Sequence, residues 1–267
     1  MRFIKYIAII IKPFLDIIAW FLKLSKHNIY YLANGPLKKS IADANKFVYA
    51  YEHIEASMKI AQILNRNGNT IVDVGGGTAT TSKMYSKEFP NHSVYIFEPI
   101  PKNYEIILKS KKNEHWKVIN KALGNKIGSA EMHIAQNVTS SSLMELKHEE
   151  LSGEYAVLHE EQYKITVELS TLDHEIPKNA LIDILKIDVQ GFEMEVLKGG
   201  KETLLRTSII VLEVNNHIGF LNAPTYFELD EYLRSNNFEL YDLFPNHKEQ
   251  EKLQDWDVIY VNKKLHE

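Results

Sequence analysis

Residues 70–82 read TIVDVGGGTATTS, and this stretch decides the fold. The apolar and β-branched residues at its start predict a buried β-strand. The three consecutive glycines, Gly75, Gly76 and Gly77, predict a loop whose backbone a ligand can approach closely. The hydroxyl-bearing residues after them predict an N-cap and then a helix that ends near residue 89. Such a strand–loop–helix unit is typical of sites for nucleotide-like ligands at the carboxyl end of a parallel strand. The glycine spacing differs from G-x-G-x-x-G, so the loop does not specifically indicate a pyrophosphate cradle.

A second apolar strand, residues 94–99 with the sequence VYIFEP, closes on Glu98. A carboxylate at the end of this strand can accept hydrogen bonds from both hydroxyls of a ribose. Asp73, inside the first strand, is expected instead to hold the glycine loop by accepting hydrogen bonds from backbone N–H groups. The glycine loop and the acid together predict an adenosine-type cofactor, and they leave NAD and S-adenosylmethionine both open.

The rest of the chain alternates between strand and helix patterns. Further strands are predicted at residues 116–120, 129–134, 164–172, 182–189, 208–214, 238–244 and 257–261. Helices are predicted within residues 40–64, 102–111, 193–198 and 225–235. Residues 124–128 are expected to form a hairpin turn. The alternation predicts a doubly wound, mostly parallel sheet with helices on both faces. The last two strands are joined too closely for a crossover helix, so they should pair antiparallel. That antiparallel end is foreign to a plain NAD-binding domain and favours a methyltransferase.

The composition excludes several classes of function. A net charge of −4 gives no electrostatic footprint for nucleic acid. The absence of cysteine excludes disulfides and thiolate metal sites, and it fits a reducing compartment. A cytoplasmic location is therefore expected.

Residues 3–24 form the most apolar stretch, and neither a signal-peptide cleavage site nor an uninterrupted span is present. On a helical wheel their charged residues fall on one narrow stripe. This segment could lie in a membrane interface, which would place the enzyme on the inner face of the membrane, or it could pack in a homodimer or on the protein core. A transmembrane span is the third alternative, and Pro13 within the run weakens it.

Several motifs resemble the FkbM-type S-adenosylmethionine-dependent methyltransferases. They are IVDVGGGTATTS, VYIFEP, an A-L-G turn with a downstream SSSL, and LKIDVQGFEMEVLKGG followed by VLEVNNH. The resemblance runs from residue 70 to residue 261. It implies a Rossmann-like class I methyltransferase with a seven-stranded sheet and a C-terminal antiparallel hairpin, over residues 41–267. Residues 1–40 lie outside the shared pattern and are expected to form an amphipathic helical extension. The chain departs from the family pattern mildly, at Gly76, Gly77 and Ala79.

The strand ends and the resemblance together give the candidate cofactor-binding residues. These are Asp73, Gly75, Gly76, Gly77, Thr78, Glu98, Pro99, Asn120, Ala122 and Asp188. No metal site is predicted, because no tight ligand spacing supports one.

The catalytic candidates follow the strands next to the cofactor strand. A hydroxyl that receives a methyl group must lose its proton to a carboxylate or an imidazole. Asp188 is the leading base or metal-binding carboxylate, although it could instead cap the next helix. Glu193 could be a second carboxylate or only stabilise the first turn of a helix. Lys186, inside an apolar strand, needs a carboxylate partner. Glu213 and His217 end the neighbouring strand.

The sequence thus predicts an O-methyltransferase that moves a methyl group from S-adenosylmethionine to a hydroxyl. Members of the resembled family imply a saccharide, a glycolipid precursor or a natural product as the small-molecule or glycan acceptor. Two alternatives remain at this point. One is an NAD-dependent oxidoreductase, and the other is a non-catalytic, membrane-associated binding protein on a methyltransferase fold.

Overall fold

The computed structural model describes residues 52–64, 68–110, 114–146, 157, 159–215, 220–249 and 252–265. The chain divides into two compact units, residues 1–55 and 56–267. The second unit contains the sheet and the candidate site. The predicted N-terminal extension lies outside the described residues.

The strands and helices alternate along the described chain. The strands are β1 (Thr70–Val74), β2 (Ser93–Phe97), β3 (Trp116–Ile119), β4 (Ala122–Leu123), β5 (Gly128–Ala135), β6 (Glu161–Ser170), β7 (Ile182–Ile187), β8 (Thr207–Asn215), β9 (Phe238–Glu249) and β10 (Lys252–Asn262). The helices are α1 (Glu52–Leu64), α2 (Thr80–Glu88), α3 (Pro101–Ser110), α4 (Leu172–Glu175), α5 (Glu193–Lys198), α6 (Lys201–Leu204) and α7 (Tyr226–Ser235), with 3₁₀ turns at Val138–Ser140 and Lys263–Leu265.

Seven of these strands form one sheet in the order β3-β2-β1-β7-β8-β10-β9. The first five strands in this order, from β3 to β8, run parallel to one another. Strand β10 pairs antiparallel with both β8 and β9. The predicted doubly wound, mostly parallel seven-stranded sheet with a C-terminal antiparallel hairpin is therefore confirmed. The order in which the chain adds strands to the sheet reverses between β1 and β7, which places the carboxyl ends of β1, β2, β7 and β8 around one crevice.

The central strands are buried along their whole length, as expected for a parallel sheet covered on both faces. Every residue of β1 and of β7 is buried. These strands therefore appear in the sequence as mainly apolar runs without alternation, interrupted by Thr70 and Asp73 in β1 and by Asp183 and Lys186 in β7. One face of the sheet packs against α5, α6 and α7. The apolar side chains that join these layers are Val72, Leu185, Ile187, Ile210, Leu212, Val196, Leu197, Leu204, Leu229 and Leu233.

Helix α7 illustrates how local sequence fixes an element. Thr225 precedes the helix, and its side chain accepts from the N–H of Glu228 while the Glu228 carboxylate accepts from the N–H of Thr225. This reciprocal capping box satisfies two N–H groups that the helix cannot bond internally. Leu229 and Leu233, four residues apart, then share the face that packs on the sheet.

The remaining strands form a three-stranded sheet in the order β4-β6-β5. The predicted hairpin at residues 124–128 is wrong, because β4 and β5 do not pair with each other. Strand β6 lies between them, parallel to β4 and antiparallel to β5. A turn between two strands that are close in sequence suggests a hairpin, but the longer β6 offers both of them a partner.

Among the helices that the structure describes, none combines the length and the apolar character that crossing a membrane would require.

Candidate active site

The glycine loop is tied to the ends of two strands. The N–H groups of Gly75 and Gly76 both donate to the carbonyl of Phe97, at 3.1 and 3.0 Å. Gly75 has a φ of +82°, and a Cβ there would lie 1.9 Å from the carbonyl oxygen of Asp188. Only glycine fits at this position, because any side chain would collide with the backbone that follows β7. The loop after β1 is thus in direct contact with the end of β7.

The start of α2 differs from the prediction. The residue before the helix is Ala79, with a left-handed φ of 61° and no side-chain cap, so the predicted hydroxyl N-cap is wrong. The Ser82 hydroxyl, one turn later, donates instead to Oδ2 of Asp73 at 2.5 Å. Asp73 is fully buried. It holds the loop through this hydroxyl and not through the backbone N–H groups that the sequence suggested.

Lys186 lies between two carboxylates beneath the loop. Its ammonium is 3.7 Å from Oδ1 of Asp73 and 3.1 Å from Oδ2 of Asp188. Burial alone would lower the pKa of Lys186, but the two carboxylates outweigh burial and raise it. The lysine therefore stays protonated, and the carboxylate partner that the sequence required is present.

Glu98 closes β2, as predicted, and is almost fully buried. Its Oε2 accepts from the N–H of Gly77 at 2.7 Å, and its Oε1 accepts from the N–H of Ile100 at 2.9 Å. The Asn103 amide approaches the same Oε1 at 3.4 Å. Burial raises the pKa of Glu98 to about 7, against the lowering effect of these donors. The acid thus fixes the glycine loop and the start of α3 relative to each other.

The other candidate cofactor residues lie at the same edge of the sheet. The Asn120 amide donates to the carbonyls of Glu98 and Pro99, at 2.8 and 3.0 Å. Thr78 is exposed on the glycine loop, and Ala122 is buried in β4. The structure therefore gathers these residues at the carboxyl ends of β1, β2 and β3.

The turn between β7 and α5 is built around Glu193. This carboxylate is buried, and its Oε1 accepts from the N–H groups of Val189 and Gly191 at 3.1 and 3.0 Å. Burial raises the pKa of Glu193 to about 7 although those N–H groups lower it. These contacts shape the turn that precedes α5. The two roles that the sequence left open, a second carboxylate and a stabiliser of the first helical turn, stay predictions.

Asp188 and Glu213 meet at this turn, and the side chain of Gln190 contacts both of them. The Gln190 amide nitrogen lies 3.1 Å from Oδ1 of Asp188 and 2.5 Å from Oε2 of Glu213. Burial would raise the pKa of Asp188, but Lys186 and hydrogen bonds from its neighbours hold it below its ordinary value. Burial and the charge of Asp188 raise the pKa of Glu213 well above its ordinary value. Of the two carboxyl groups, Asp188 is therefore the one that ionises more readily.

Asp188 is also the more accessible member of the buried cluster. Its side chain is 34% exposed, against 7% for Lys186 and 1% for Asp73. An ionised carboxylate with access to the crevice, anchored by a buried cation, can accept a proton from a bound ligand.

Sequence reasoning did not single out Gln190, and no local signal could have revealed its partner, because Glu213 follows 23 residues later. The sequence likewise assigns no role to residues 138–143, VTSSSL, which are rich in hydroxyl groups. Ser142 in that loop donates to the carbonyl of Gln190 at 2.6 Å. The ring of Phe220 lies against Gly191, 3.0 Å from where its Cβ would be. His217 lies outside the described residues.

In the part of the chain that the structure describes, no group of three or more histidine, aspartate or glutamate side chains could hold a metal ion.

The protein-family model named "Methyltransferase FkbM domain" matches residues 63–240 of the sequence. This range includes every described residue of the site up to β8. The chain belongs to the FkbM methyltransferase family. Its cofactor is S-adenosylmethionine. Because the family is one of methyltransferases, its match supports methyl transfer and not the alternative of an NAD-dependent oxidoreductase.

Two curated relatives of this FkbM protein are similar in sequence. The "2-O-methyltransferase NoeI" of Sinorhizobium fredii is 25% identical over 227 residues, which cover 79% of this chain and 87% of the relative. "Methyltransferase 1" of Beauveria bassiana is 22% identical over 142 residues, which cover 48% of this chain and 57% of the relative. Among solved structures, magnesium protoporphyrin IX methyltransferase from Synechocystis with bound S-adenosylmethionine is 10% identical, with a TM-score of 0.47, over 93% of this chain and 97% of that one.

The glycine loop of this FkbM domain is open to a ligand on one side. A Cβ at Gly77 would meet no atom within 4 Å, so the loop is open at this point, whereas it is tightly packed at Gly75 and Gly76. The open glycine lies next to the Glu98 carboxylate. Backbone accessible to a ligand beside a buried acid is the arrangement that binds an adenosine group.

Proposed function

We propose that this chain is an O-methyltransferase that transfers the methyl group of S-adenosylmethionine to a hydroxyl of a saccharide, a glycolipid precursor or a natural product. The observation that carries the proposal is the placement of Asp188. Its carboxylate is ionised and partly exposed, and its backbone carbonyl touches the glycine loop at Gly75. A proton acceptor is thus held directly beside the loop that fits the cofactor.

These contacts suggest a separate role in the reaction for the cofactor and for each residue of the site. Bound S-adenosylmethionine would supply an electrophilic methyl group, and the protein would orient the acceptor hydroxyl toward it. As the acceptor oxygen forms its bond to the methyl group, the methyl–sulfur bond would break and leave S-adenosylhomocysteine, and the proton of the hydroxyl would pass to Asp188. Lys186 keeps the Asp188 carboxylate ionised before the transfer, because its ammonium lies 3.1 Å away. Gly75, Gly77 and Glu98 would bind the cofactor.

Two observations support an acceptor that carries hydroxyl groups. The relative from Sinorhizobium fredii carries the name of a 2-O-methyltransferase, which supports oxygen as the methylated atom. A carboxylate at the crevice also suits a polyhydroxylated ligand, because an ionised aspartate can accept hydrogen bonds from two hydroxyls.

Methyl transfer to a panel of saccharides and hydroxylated lipids tests the proposal. The purified chain is incubated with S-adenosylmethionine, S-adenosylhomocysteine is measured by mass spectrometry, and the methylated atom is located by NMR. Asp188→Asn should lower the transfer rate by about 10²–10⁴-fold while leaving cofactor affinity nearly unchanged. Asp183→Asn, at the opposite end of the same strand, is the matched control and should keep the rate.

Two results would contradict the proposal. One is methylation at nitrogen or carbon in every product found. The other is normal turnover by Asp188→Asn on the acceptor that the wild type methylates, which would move the base to Glu213 or to His217.

A further inference from the structure

Residues 220–227, FLNAPTYF, form a segment beside the site that carries no charged side chain. Aromatic and aliphatic residues predominate in this apolar strip. Two of its large side chains are exposed to solvent, Leu221 by 43% and Phe227 by 79%. Exposed apolar side chains that occur singly need no explanation, whereas several on one segment indicate a surface that binds a ligand.

One end of the apolar strip lies directly on the turn that follows Asp188. A Cβ added to Gly191 would lie 3.0 Å from the ring of Phe220 and 3.5 Å from the Cβ of Ala223. Gly191 is only three residues after Asp188, which is the proton acceptor of the proposed reaction. The strip therefore adjoins the place where an acceptor hydroxyl would meet that carboxylate.

The same end of the strip is fixed by backbone pairing. Leu146 and Phe220 form an antiparallel bridge, and the N–H of Leu221 donates to the carbonyl of Glu145 at 2.7 Å. The other end is fixed by the capping box of Thr225, which begins α7. A surface that is held in place before a ligand arrives loses little conformational freedom on binding.

The exposed ring of Phe227 is supported by two further rings. It packs against Tyr226 with the centroids 5.6 Å apart and the planes at 60°. Tyr226 packs in turn against the buried ring of Trp256, at 5.9 Å and 61°. Such edge contacts hold a ring while leaving one of its faces accessible. The far end of the strip thus offers a fixed aromatic surface to an apolar ligand.

We propose that the apolar strip binds the apolar part of the acceptor, so that the methylated hydroxyl belongs to an amphiphile with an aliphatic chain and not to a free saccharide. This rests on the proposed function, in which the hydroxyl lies at Asp188. An occupant of the strip would touch whatever lies at that carboxylate, which favours one molecule that reaches both places. Its polar end lies at Asp188, and its chain follows the strip toward Phe227. A few polar groups beside a larger apolar area are typical of ligand sites.

Methyl and octyl β-D-glucopyranoside have the same polar part and differ only in the alkyl chain, so they test the proposal without turnover. Each is titrated below its critical micelle concentration into the full-length protein saturated with S-adenosylhomocysteine. Methyl-group NMR follows labelled leucine and alanine side chains. The octyl glucoside should shift the signals of Leu221 and Ala223 and bind at least about tenfold more tightly than the methyl glucoside, because burial of two methylene groups suffices for this ratio.

Leu221→Ser and Phe227→Ser should each lower this preference for the octyl chain to less than about threefold, and the unfolding midpoint of each variant checks its fold. Leu205→Ser is the matched control and should keep the preference. Leu205 is 60% exposed and lies just after α6, at the amino end of β8 and hence at the opposite end of the sheet from the site.

Three results would overturn the proposal. The first is equal affinity of the wild type for the two glucosides. The second is an equal loss of the preference in Leu205→Ser, or chain-dependent shifts confined to leucines outside the strip. The third is a dimer of the wild type that dissociates in Phe227→Ser, because a second copy of the chain would then cover the strip.

Turnover distinguishes a failure of this proposal from a failure of the proposed function. On an acceptor with an alkyl chain, Phe227→Ser should raise the KM for the acceptor and leave both kcat and the KM for S-adenosylmethionine near their wild-type values. O-methylation of a free saccharide with a KM that Phe227→Ser does not change would overturn the role of the strip and leave the proposed function intact. Methylation at nitrogen or carbon alone, with chain-dependent binding preserved, would overturn only the proposed function.

Discussion

The ammonium of Lys186 lies 3.7 Å from Oδ1 of Asp73, and the two residues face each other across the β1–β7 pair. Both side chains are nearly inaccessible to water. A buried charge of this kind is tolerated because its partner is present, and removing one member leaves the other uncompensated. This pair therefore couples the two central strands of the sheet directly to the site above them.

Lys186→Met should destabilise the protein by about 3–5 kcal/mol, because it leaves the carboxyl groups of Asp73 and Asp188 without their shared cation. Urea unfolding measures the loss. Adding Asp73→Asn to this variant should recover part of the stability, since one uncompensated charge is then removed. Lys164→Met is the control, because the Lys164–Glu131 ion pair lies at the surface and should contribute far less. Equal losses from the two lysine variants would refute the importance of the buried pair.

Glu98→Gln should weaken the binding of S-adenosylhomocysteine by about 1–3 kcal/mol if the carboxylate bonds the ribose. Calorimetry with the 2′-deoxy analogue separates this contact from the role of Glu98 in holding Gly77. The penalty should be smaller for the analogue, which lacks one of the two hydroxyls. Glu105→Gln, an exposed glutamate of α3, should change neither affinity. Equal penalties for the two ligands would assign Glu98 to the loop alone.

Alanine substitutions at Gly75 and Gly77 should have different effects on the same loop. Gly75→Ala places a Cβ 1.9 Å from the Asp188 carbonyl and should strongly lower the unfolding midpoint. Gly77→Ala meets no atom and should cost only about 1–2 kcal/mol for its left-handed φ of +55°. If the cofactor occupies the open side of the loop, Gly77→Ala should nevertheless weaken its binding. Wild-type affinity in a folded Gly77→Ala protein would exclude the cofactor from that side.

Glu193→Gln should remove a pH dependence of stability without breaking the turn. A pKa raised to about 7 in the folded protein means that the Glu193 contribution is fully present below its ordinary pKa of 4.5 and is lost as the pH rises through about 7. Glutamine cannot ionise, and both turn hydrogen bonds end on the single atom Oε1, which glutamine retains.

Denaturant unfolding at pH 5 and pH 8 measures the effect. The wild type should lose more stability over this interval than Glu193→Gln does. Glu195→Gln, in the same turn of α5 but partly exposed, should behave as the wild type does. An unchanged pH slope in Glu193→Gln would show that another group is responsible. Preserved methyl transfer in this variant is expected if Glu193 only shapes the turn.

Much of the fold could be predicted because buried strands are encoded by mainly apolar runs of residues. The run Ile182–Ile187 is apolar except at Asp183 and Lys186, as a strand covered on both faces must be. The short connection between β9 and β10 fixed their antiparallel pairing. The pairing of β6 between β4 and β5 could not be predicted in this way. It depends on which of several strands makes the best partner, and local spacing does not carry that information.

The sequence predicted those site residues that lie at the ends of strands, because the strands themselves could be predicted. Asp188 and Glu213 were candidates because their strands were expected to be neighbours, and the β7–β8 pair brings them together. The roles of Gln190 and Ala79 depend on left-handed backbone angles, which neither residue type favours. Such angles arise from tertiary contacts, so the local sequence does not predict them.

The N-terminal segment, residues 3–24, yields a prediction from the sequence alone. If its apolar surface lies in a membrane interface, the full-length protein should sediment with anionic liposomes, and a version lacking residues 1–26 should not. Equal partitioning of the two forms would end the membrane hypothesis. Loss of a dimer on truncation would support the competing homodimer.

The position of β10 between β8 and β9 has a consequence for how the protein is made. Strand β10 follows every other described strand in sequence, yet it is interior to the sheet. While it is still being synthesised, β8 is an open edge and β9 has no neighbour, so unpaired backbone N–H and C=O groups are available to other chains. A nascent chain is therefore most exposed to aggregation just before β10 emerges. A stop codon anywhere within Lys252–Asn262 should yield insoluble protein even though every residue of the candidate site up to Glu213 is already present.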